Sequence, residues 1–536
     1  MTRVRQTGKE VPVKDLLSKK TILWPGLALL IGYFLWFNHP FPLDDGSLSR
    51  QEAARAALEY LGIDDEAADT FVTYDVNGPL TAYLQKEDLT SDYYDQYDAA
   101  YPLEYYRVEI GREDGERYEA LVHVYEGTVA GWRLDMREGE AGQPEVDAAM
   151  ARQIADAYLL EQRPGDLKEA GISVLEQDGG YLIRYEQSDD RIGEATRITT
   201  VTVSGDRVVA FSSAFQPPED FLSWLEQQDT RSEQLTNLAR WALELLAFAA
   251  LVVAVVYRKL IRAADGLVFL AIVAAIDTMH HMNLLPNYIS MLDVRSGSSS
   301  FLVLETVIAL AFNTAFALLY YLPYIAGKAM LTRDGQRHLL PGPDSAGWSA
   351  EMRLAVRYGY LFACFILALQ TLIFNVGDVL FHIWWIPDPF LSTDNMLWPL
   401  LMPLTAWSAA LSEEIVYRLF AVTLLAKLLR SRWVAIVLSS MLWGLGHTAY
   451  PIYPVYTRFV EVTLIGIVFG WIFIRFGFAA AVITHAVLDS ILMGFDIMSI
   501  GAAGAALSVL YMALPAAVGW LLARWQRGRP THPAIT

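Results

Sequence analysis

The stretch Ser412–Phe420, S-E-E-I-V-Y-R-L-F, places charged side chains inside an otherwise apolar run. Glu413, Glu414 and Arg418 lie between hydrophobic residues that begin near Met396 and end near Leu429. Within a lipid bilayer such charges are costly unless they pair or serve a function. The stretch therefore indicates a polar site at membrane depth.

Helical spacing gives the three charges different directions. Glu414 and Arg418 are four residues apart, so in an α-helix they share a face and can form an ion pair within one turn. Glu413 points about 100° away from that pair. For Glu414 and Arg418, a structural role in holding the helix is the alternative to a direct chemical role. Glu413 is free to face a site.

Charge is distributed unevenly along the 536 residues. Between Asp44 and Leu235 there are 42 Asp and Glu against 16 Lys and Arg, a net charge of −26, and the rest carries 18 acidic and 25 basic residues, a net charge of +7. Two environments follow, one soluble and one in a membrane. The acidic portion argues against nucleic acid as a partner, because phosphates require basic patches. The single cysteine, Cys364, excludes an intrachain disulfide.

The N-terminal 43 residues are predicted to be a cytoplasmic segment followed by a first transmembrane helix. Six basic residues precede the apolar run Thr21–Phe37, which is just long enough to cross the hydrocarbon. A secretory signal peptide is the competing interpretation. The sequence Asn38-His39-Pro40 lacks the small residues of a cleavage site, so an uncleaved anchor is favoured.

Residues 44–235 are predicted to form an inserted, extracytoplasmic α+β domain containing two repeats, about 44–140 and 145–220. Each repeat has a helical pattern, Ser49–Leu61 or Val146–Leu160, followed by alternating strand patterns separated by turn residues. The order resembles the PepSY type of extracytoplasmic module. No catalytic set is present in it, so a recruiting or regulatory role is expected.

The remainder is hydrophobic almost to its end, which makes the predicted fold a mostly α-helical polytopic membrane protein. About ten spans are expected at 21–37, 238–257, 265–284, 301–325, 352–376, 396–429, 433–449, 458–475, 477–495 and 500–523. Basic residues between alternate spans place both termini in the cytoplasm of a plasma membrane. Residues 236–345 then hold helices two to four, and 346–530 form the core that bears the site.

Two further polar pairs follow the glutamates. Trp443 and His447 are four residues apart, as are His485 and Asp489, so each pair shares a helical face. Together with Glu413, the histidines can polarise a water for attack on a carbonyl, either directly or through a divalent metal such as zinc bound by Glu413, His447 and His485. Whether any cofactor is required stays open at this point. Peptide hydrolysis is the hypothesis.

These residues resemble the motifs of the family of CAAX prenyl proteases and bacteriocin-processing enzymes. Its signature, E-E-x-x-x-R, then aromatic-x-x-x-H, then H-x-x-x-N or H-x-x-x-D, is met in order by Glu413-Glu414-x-x-x-Arg418, Trp443-x-x-x-His447 and His485-x-x-x-Asp489. The resemblance implies an intramembrane endopeptidase acting on membrane-associated or prenylated protein or peptide substrates. It further implies that Glu413 and His447 activate water, that His485 and Asp489 stabilise the oxyanion, and that Glu414 and Arg418 pair.

Two departures from the family pattern bear on the substrate. Trp443 replaces the usual phenylalanine, and Asp489 stands where the prenyl-protease branch has asparagine. Because an ionised aspartate cannot donate a hydrogen bond, Asp489 must be protonated, orient His485 or help to hold a metal. Prenylated substrates are thereby less well supported than hydrolysis itself.

Other functions compete with proteolysis. A non-catalytic membrane scaffold, or an immunity-type protein of the same fold, would use the outer domain for binding, and a proton-coupled transporter would use the buried carboxylates. The sequence has no inverted repeat to support a transporter. Solvated or interfacial roles are favoured for two remaining polar sets, Asp277 with His280 and His281, and Asp378 with His382. The roles of Glu305 and Glu461 stay open.

Overall fold

The computed structural model describes residues 20–38, 46–64, 68–112, 115–135, 146–167, 170–177, 180–262, 264–292, 299–340, 342–343, 345 and 347–525. The basic N-terminal segment, the Asn38–Pro40 junction beyond Asn38 and the basic tail after Trp525 lie outside these residues. The described chain is mostly helical, with a separate sheet-rich domain in its N-terminal half.

The sheet-rich domain follows the first helix, α1 (Lys20–Asn38). Its elements are α2 (Arg50–Leu61), β1 (Ala68–Val76), α3 (Gly78–Lys86), α4 (Thr90–Gln96), β2 (Glu104–Arg112), β3 (Arg117–His123), β4 (Val129–Asp135), α5 (Ala148–Gln162), β5 (Ala170–Gln177), β6 (Gly180–Ile192), β7 (Ala195–Ser204) and β8 (Arg207–Gln216).

The eight described strands form one antiparallel sheet in the order β1-β2-β3-β4-β8-β7-β6-β5. Two four-stranded meanders therefore meet edge to edge at β4 and β8, where Trp132 pairs with Phe211. Gly131 permits the close approach, because a Cβ there would lie 2.9 Å from the carbonyl oxygen of Phe211. A PepSY-like identity for this domain stays a prediction.

One helix covers each meander, and local sequence explains where each helix begins. Ser49 and Glu52 form a reciprocal capping box before α2, and the Asp147 side chain accepts from the Met150 amide before α5. Small apolar residues on α2 pack with Val108 and Val122 in one core, and the corresponding face of α5 packs with Ile183 and Val201 in another. Each meander thus has its own hydrophobic core.

The helical part begins with α6 (Glu219–Val256), which runs without a break from the sheet-rich domain. The other elements are α7 (Leu267–Asn283), α8 (Leu285–Leu292), α9 (Ser299–Arg333), α10 (Trp348–Phe381), β9 (Trp384–Trp385), α11 (Thr405–Glu413), a π-helix (Glu414–Val422), α12 (Thr423–Leu429), α13 (Arg432–Leu445), β10 (Ile452–Tyr453), α14 (Tyr456–Phe476), α15 (Phe478–Asp496) and α16 (Gly501–Trp525). Short 3-10 turns occupy Pro164–Leu167, Arg258–Leu260, Arg337–Leu339, Pro389–Leu391, Thr393–Asn395, Pro399–Leu404 and Ile497–Ser499.

Six described helices are long and apolar enough to cross a membrane, so the count of ten is not confirmed. They are Glu219–Val256, Leu304–Arg333, Trp348–Phe381, Tyr456–Phe476, Phe478–Ser499 and Gly501–Trp525. Shorter apolar helices occupy Gly26–Asn38, Leu267–Asn283 and Arg432–Leu445. At 14 residues, the last is about 21 Å long, less than a hydrocarbon core of about 30 Å.

The predicted span 396–429 differs most from the structure. It begins as a 3-10 turn containing Pro399 and Pro403, because proline lacks the amide hydrogen that an α-helix interior needs. After α11 the chain forms the π-helix and only then α12. The charged stretch Ser412–Phe420 therefore lies where the helical hydrogen bonding changes type.

Glycines on α14 bring it close to α13. A Cβ on Gly466 would lie 2.8 Å from Cβ of Ser440, and one on Gly470 would lie 2.7 Å from Cγ2 of Ile436. Small residues at such contacts allow helix backbones to approach in a membrane. This packing fixes the end of α13, which bears Trp443, against α14.

Candidate active site

The two glutamates face different surroundings because the helix changes type between them. Glu413 is the last residue of α11, and Glu414 begins the π-helix. The expectation of a regular α-helix through this stretch is wrong. π-Helical segments are rare and frequently occur at functional sites.

Glu414 and Arg418 form a buried ion pair. Oε1 of Glu414 lies 3.0 Å from Nη1 of Arg418, and the two residues are 0% and 1% exposed. The guanidinium lies over the ring of Trp443, 4.1 Å from its centroid, and 5.0 Å from the centroid of Phe469. The same Glu414 oxygen lies 2.9 Å from Nδ1 of His485. The pair therefore connects the π-helix to α13, α14 and α15, and it also orients the His485 imidazole.

Glu413 faces away from this pair, toward both histidines. Its Oε1 lies 3.9 Å from Nε2 of His447, and its Oε2 lies 3.8 Å from Nε2 of His485. The indole Nε1 of Trp443 donates a hydrogen bond to Oε2 at 2.5 Å. About a quarter of the Glu413 side chain is exposed. One partly accessible carboxylate is thus surrounded by two ring nitrogens and an indole donor.

Hydrogen bonds define the protonation of the two rings. Nδ1 of His447 lies 2.9 Å from the carbonyl oxygen of Trp443, and because a carbonyl only accepts, Nδ1 donates. In a neutral ring Nε2 of His447 then carries the lone pair that faces Glu413. The His447 ring also stacks on Tyr450 at an interplanar angle of 12°.

His485 is oriented from both sides. Its Nδ1 donates to the Glu414 carboxylate, and its Nε2 lies 3.4 Å from Oδ2 of Asp489. An unprotonated nitrogen and an ionised carboxylate would both be acceptors, so a favourable contact between His485 and Asp489 requires a proton between them. A protonated Nε2 can donate a hydrogen bond toward the space beside Glu413.

The arrangement does not match a zinc site. Two ligand atoms bound tetrahedrally at about 2.1 Å from zinc lie about 3.4 Å apart, whereas the glutamate oxygens lie 3.9 Å and 3.8 Å from the histidine nitrogens. Across the described residues, no group of three or more His, Cys, Asp or Glu side chains is placed to hold a metal ion.

Three residues contribute contacts to the site that the sequence did not predict. Trp443 was predicted to share a helical face with His447, but its indole also donates to Glu413, which a phenylalanine ring has no means to do. Phe469 contributes a ring against both Arg418 and His485. Tyr450 contributes the ring that stacks on His447. Only Trp443 had a sequence signal, its departure from the family pattern.

The other polar sets make contacts of their own, and Arg458, the partner of Glu461, borders the site at 5.0 Å from the ring centroid of Tyr450. His281 pairs with Glu305 at 2.9 Å, and Asp378 and His382 are exposed at the end of α10. The sequence left the role of Glu461 open. Glu461 is completely buried and accepts hydrogen bonds from Arg458 at 2.6 Å and Gln370 at 2.9 Å.

A family model matches the segment that contains the predicted site residues. Residues 395–491 match the family model described as type II CAAX prenyl endopeptidase Rce1-like. The sporulation-killing factor biosynthesis protein SkfC of Bacillus subtilis (strain 168) is 26% identical over 85 residues, an alignment that spans 16% of this chain and 17% of SkfC. No solved structure matches the chain. Over residues 395–491, which include all six predicted site residues, the chain is therefore similar to the Rce1-like CAAX protease family.

Proposed function

We propose that the chain is an intramembrane endopeptidase that hydrolyses peptide bonds of membrane-associated proteins or peptides. The observation that carries the proposal is the position of Glu413, whose two oxygens face Nε2 of His447 and Nε2 of His485 at 3.9 Å and 3.8 Å. A water that makes hydrogen bonds of about 2.8 Å to both Glu413 and His447 fits the first separation. The match to an Rce1-like family supports the same reaction class.

In the proposed mechanism Glu413 is the general base. Its carboxylate removes a proton from the water while the lone pair of His447 orients the second hydrogen, and the water oxygen bonds to the substrate carbonyl carbon. The protonated Nε2 of His485, supported by Asp489, donates to the resulting oxyanion. Collapse of the intermediate breaks the C–N bond, and the proton held by Glu413 passes to the leaving amine.

The remaining polar residues position this set. Glu414 fixes the ring of His485 through Nδ1, and Arg418 neutralises Glu414 within the bundle. The indole of Trp443 holds the Glu413 carboxylate in place. No step in this scheme requires a metal.

We further propose ten membrane crossings in a plasma membrane, with residues 44–235 outside and both termini in the cytoplasm. Six long helices, three shorter apolar helices and the segment 405–429 make up the ten. Basic residues gather at one end of the bundle, where Lys427 pairs with Asp334 and Lys328 with Asp265. The sheet-rich domain packs at the other end, where the Asn395 side chain hydrogen-bonds the backbone of Tyr74. This asymmetry follows the positive-inside rule.

Cleavage of membrane-inserted peptides by the purified chain in lipid tests the function. The library should contain prenylated and unprenylated members, with cleavage sites read by mass spectrometry. Wild type should cleave and Glu413→Gln should not. Glu305→Gln is the matched control, because Glu305 also pairs with a histidine but lies on α9, away from the site. Equal cleavage by wild type and Glu413→Gln would exclude Glu413 as the general base, and no cleavage by wild type would favour the non-catalytic scaffold.

A further inference from the structure

Helix α6 connects the sheet-rich domain to the membrane without a break. Its first turns belong to the outer domain, where Phe221 and Leu225 share a hydrophobic core with Leu80 of α3 and with Trp384 and Tyr453 of the β9–β10 ribbon. Its C-terminal part is a candidate membrane span. One rigid element therefore belongs to both parts of the molecule.

Between these two parts, α6 contacts the segment that follows His447. Ser232 Oγ donates to the Thr448 carbonyl at 2.7 Å, and the hydroxyls of Thr236 and Thr448 are 3.2 Å apart. Farther along the segment, the Tyr453 hydroxyl donates to Asp229 at 2.9 Å and the Val455 amide donates to Gln228 at 3.1 Å. The Thr448 hydroxyl also donates to the Ser232 carbonyl oxygen at 3.5 Å, so five hydrogen bonds connect two turns of α6 to residues 448–455.

Two residues in these contacts, Thr448 and Gln228, are buried, whereas Asp229 is exposed. Thr448 is 1% exposed and Gln228 is 3% exposed. A buried polar group that loses its partner pays its full desolvation cost, so such bonds constrain a backbone more than exposed ones do. The segment 446–455 has little regular structure of its own to replace them. Helix α13 ends at Leu445, and Ile452–Tyr453 forms only a two-residue pairing with Trp384–Trp385.

The direction of the His447 ring depends on this segment. His447 lies two residues beyond the end of α13, and the Tyr450 ring on which it stacks is in the same segment. Thr448, the next residue, receives the contacts of both Ser232 and Thr236. A shift of Thr448 therefore turns Nε2 of His447 relative to Glu413.

We infer that Ser232 and Thr236 are positioning residues for His447, and that the extracytoplasmic domain, through α6, is part of the frame that sets the geometry of the site. The inference deepens the proposed function and, as far as it concerns catalysis, rests on it. The structural part of the inference does not depend on any substrate. It says that the hydroxyls of Ser232 and Thr236 hold the segment 446–455, which carries the His447 imidazole.

The test compares full-length wild type in lipid with the double variant Ser232→Ala/Thr236→Val. Amide hydrogen exchange should accelerate in residues 446–455, and carbethoxylation of His447, read by mass spectrometry, should change in rate. Each change should be about tenfold, which corresponds to about 1.4 kcal/mol of lost hydrogen bonding. Exchange in α14 and α15 should be unchanged. Ser232→Thr, which keeps the hydroxyl, should behave as wild type.

The matched control is Thr200→Val/Ser212→Ala, which removes a hydroxyl pair of similar length, 2.8 Å, between β7 and β8. It should leave exchange in residues 446–455 and His447 reactivity unchanged. Wild-type exchange and reactivity in the Ser232→Ala/Thr236→Val variant would overturn the inference. With a cleaved substrate, the same variant should lower kcat with KM unchanged. Absence of cleavage by wild type would count against the proposed function alone, because exchange and carbethoxylation still decide the positioning role.

Discussion

The indole of Trp443 donates its hydrogen bond to Oε2 of Glu413, so the residue that departs from the family's phenylalanine touches the carboxylate on which the proposed chemistry depends. The same indole ring lies under the guanidinium of Arg418. Trp443 thereby connects the partly exposed carboxylate to the buried ion pair. Removing the indole nitrogen while keeping an aromatic ring separates these two contacts.

Trp443→Phe should lower kcat by about 10- to 100-fold, because a hydrogen bond to a charged group is worth about 1.5–3 kcal/mol. The phenyl ring keeps a face for Arg418, so we expect the thermal unfolding temperature to fall only slightly. Steady-state cleavage and thermal unfolding in lipid measure the two effects. Trp471→Phe makes the same change on α14, where the ring packs against Phe362 and Phe476, and should preserve kcat. Equal kcat values for wild type and Trp443→Phe would remove the indole from the mechanism.

Glu414→Leu should destabilise the protein by about 3–5 kcal/mol, because it leaves the Arg418 guanidinium buried without its partner. Adding Arg418→Met should restore most of that stability, since replacing a buried ion pair by apolar residues is often neutral. Activity should stay lost in the double variant, because His485 has no acceptor for Nδ1. Thermal unfolding and cleavage, measured on the same samples, separate the two roles. Recovery of cleavage in the double variant would show that Glu414 has only a structural role.

Chelation should leave cleavage unchanged, because the separations between Glu413 and the two histidines exceed those of ligands on one zinc ion. The measurement is activity after incubation with a strong chelator, with elemental analysis of the purified protein. A zinc protease treated in parallel confirms that the chelator acts. Loss of activity on chelation, with recovery on adding zinc, would replace the metal-free mechanism.

The polar residues of the site could be chosen from the sequence because their cost in a membrane makes them conspicuous. Glu413 lies 3.9 Å from Nε2 of His447 and 3.8 Å from Nε2 of His485, and the catalytic roles of these residues stay a prediction. No sequence pattern predicted the π-helix. A side chain four positions along lies near the same face whether the hydrogen bonds span four or five residues, so the spacing of Glu414 and Arg418 fits both geometries.

Contacts between distant segments could not be predicted from local patterns. Ser232 and Thr448 are 216 residues apart in sequence, and no sequence pattern around either residue predicts their contact. The pairing of Trp384–Trp385 with Ile452–Tyr453 is too short to give an alternating pattern. By contrast, α2 begins directly after Ser49, the first residue of its predicted helical pattern, because a capping box is encoded within four residues.

Gly466→Ala should abolish most activity by moving Trp443. A Cβ at this position would lie 2.8 Å from Cβ of Ser440 and 2.9 Å from Cε3 of the Trp443 ring, closer than real Cβ contacts allow, so α13 or the ring must shift. Overpacking of this kind costs about 1–3 kcal/mol, and the displaced indole also loses its geometry to Glu413. Cleavage kinetics and thermal unfolding in lipid measure both effects. Gly32→Ala is the matched control, since it makes the same change within α1 where nothing lies within 4 Å. Wild-type kcat in Gly466→Ala would mean that the indole position beside Glu413 is not required, and it would contradict the result expected for Trp443→Phe as well.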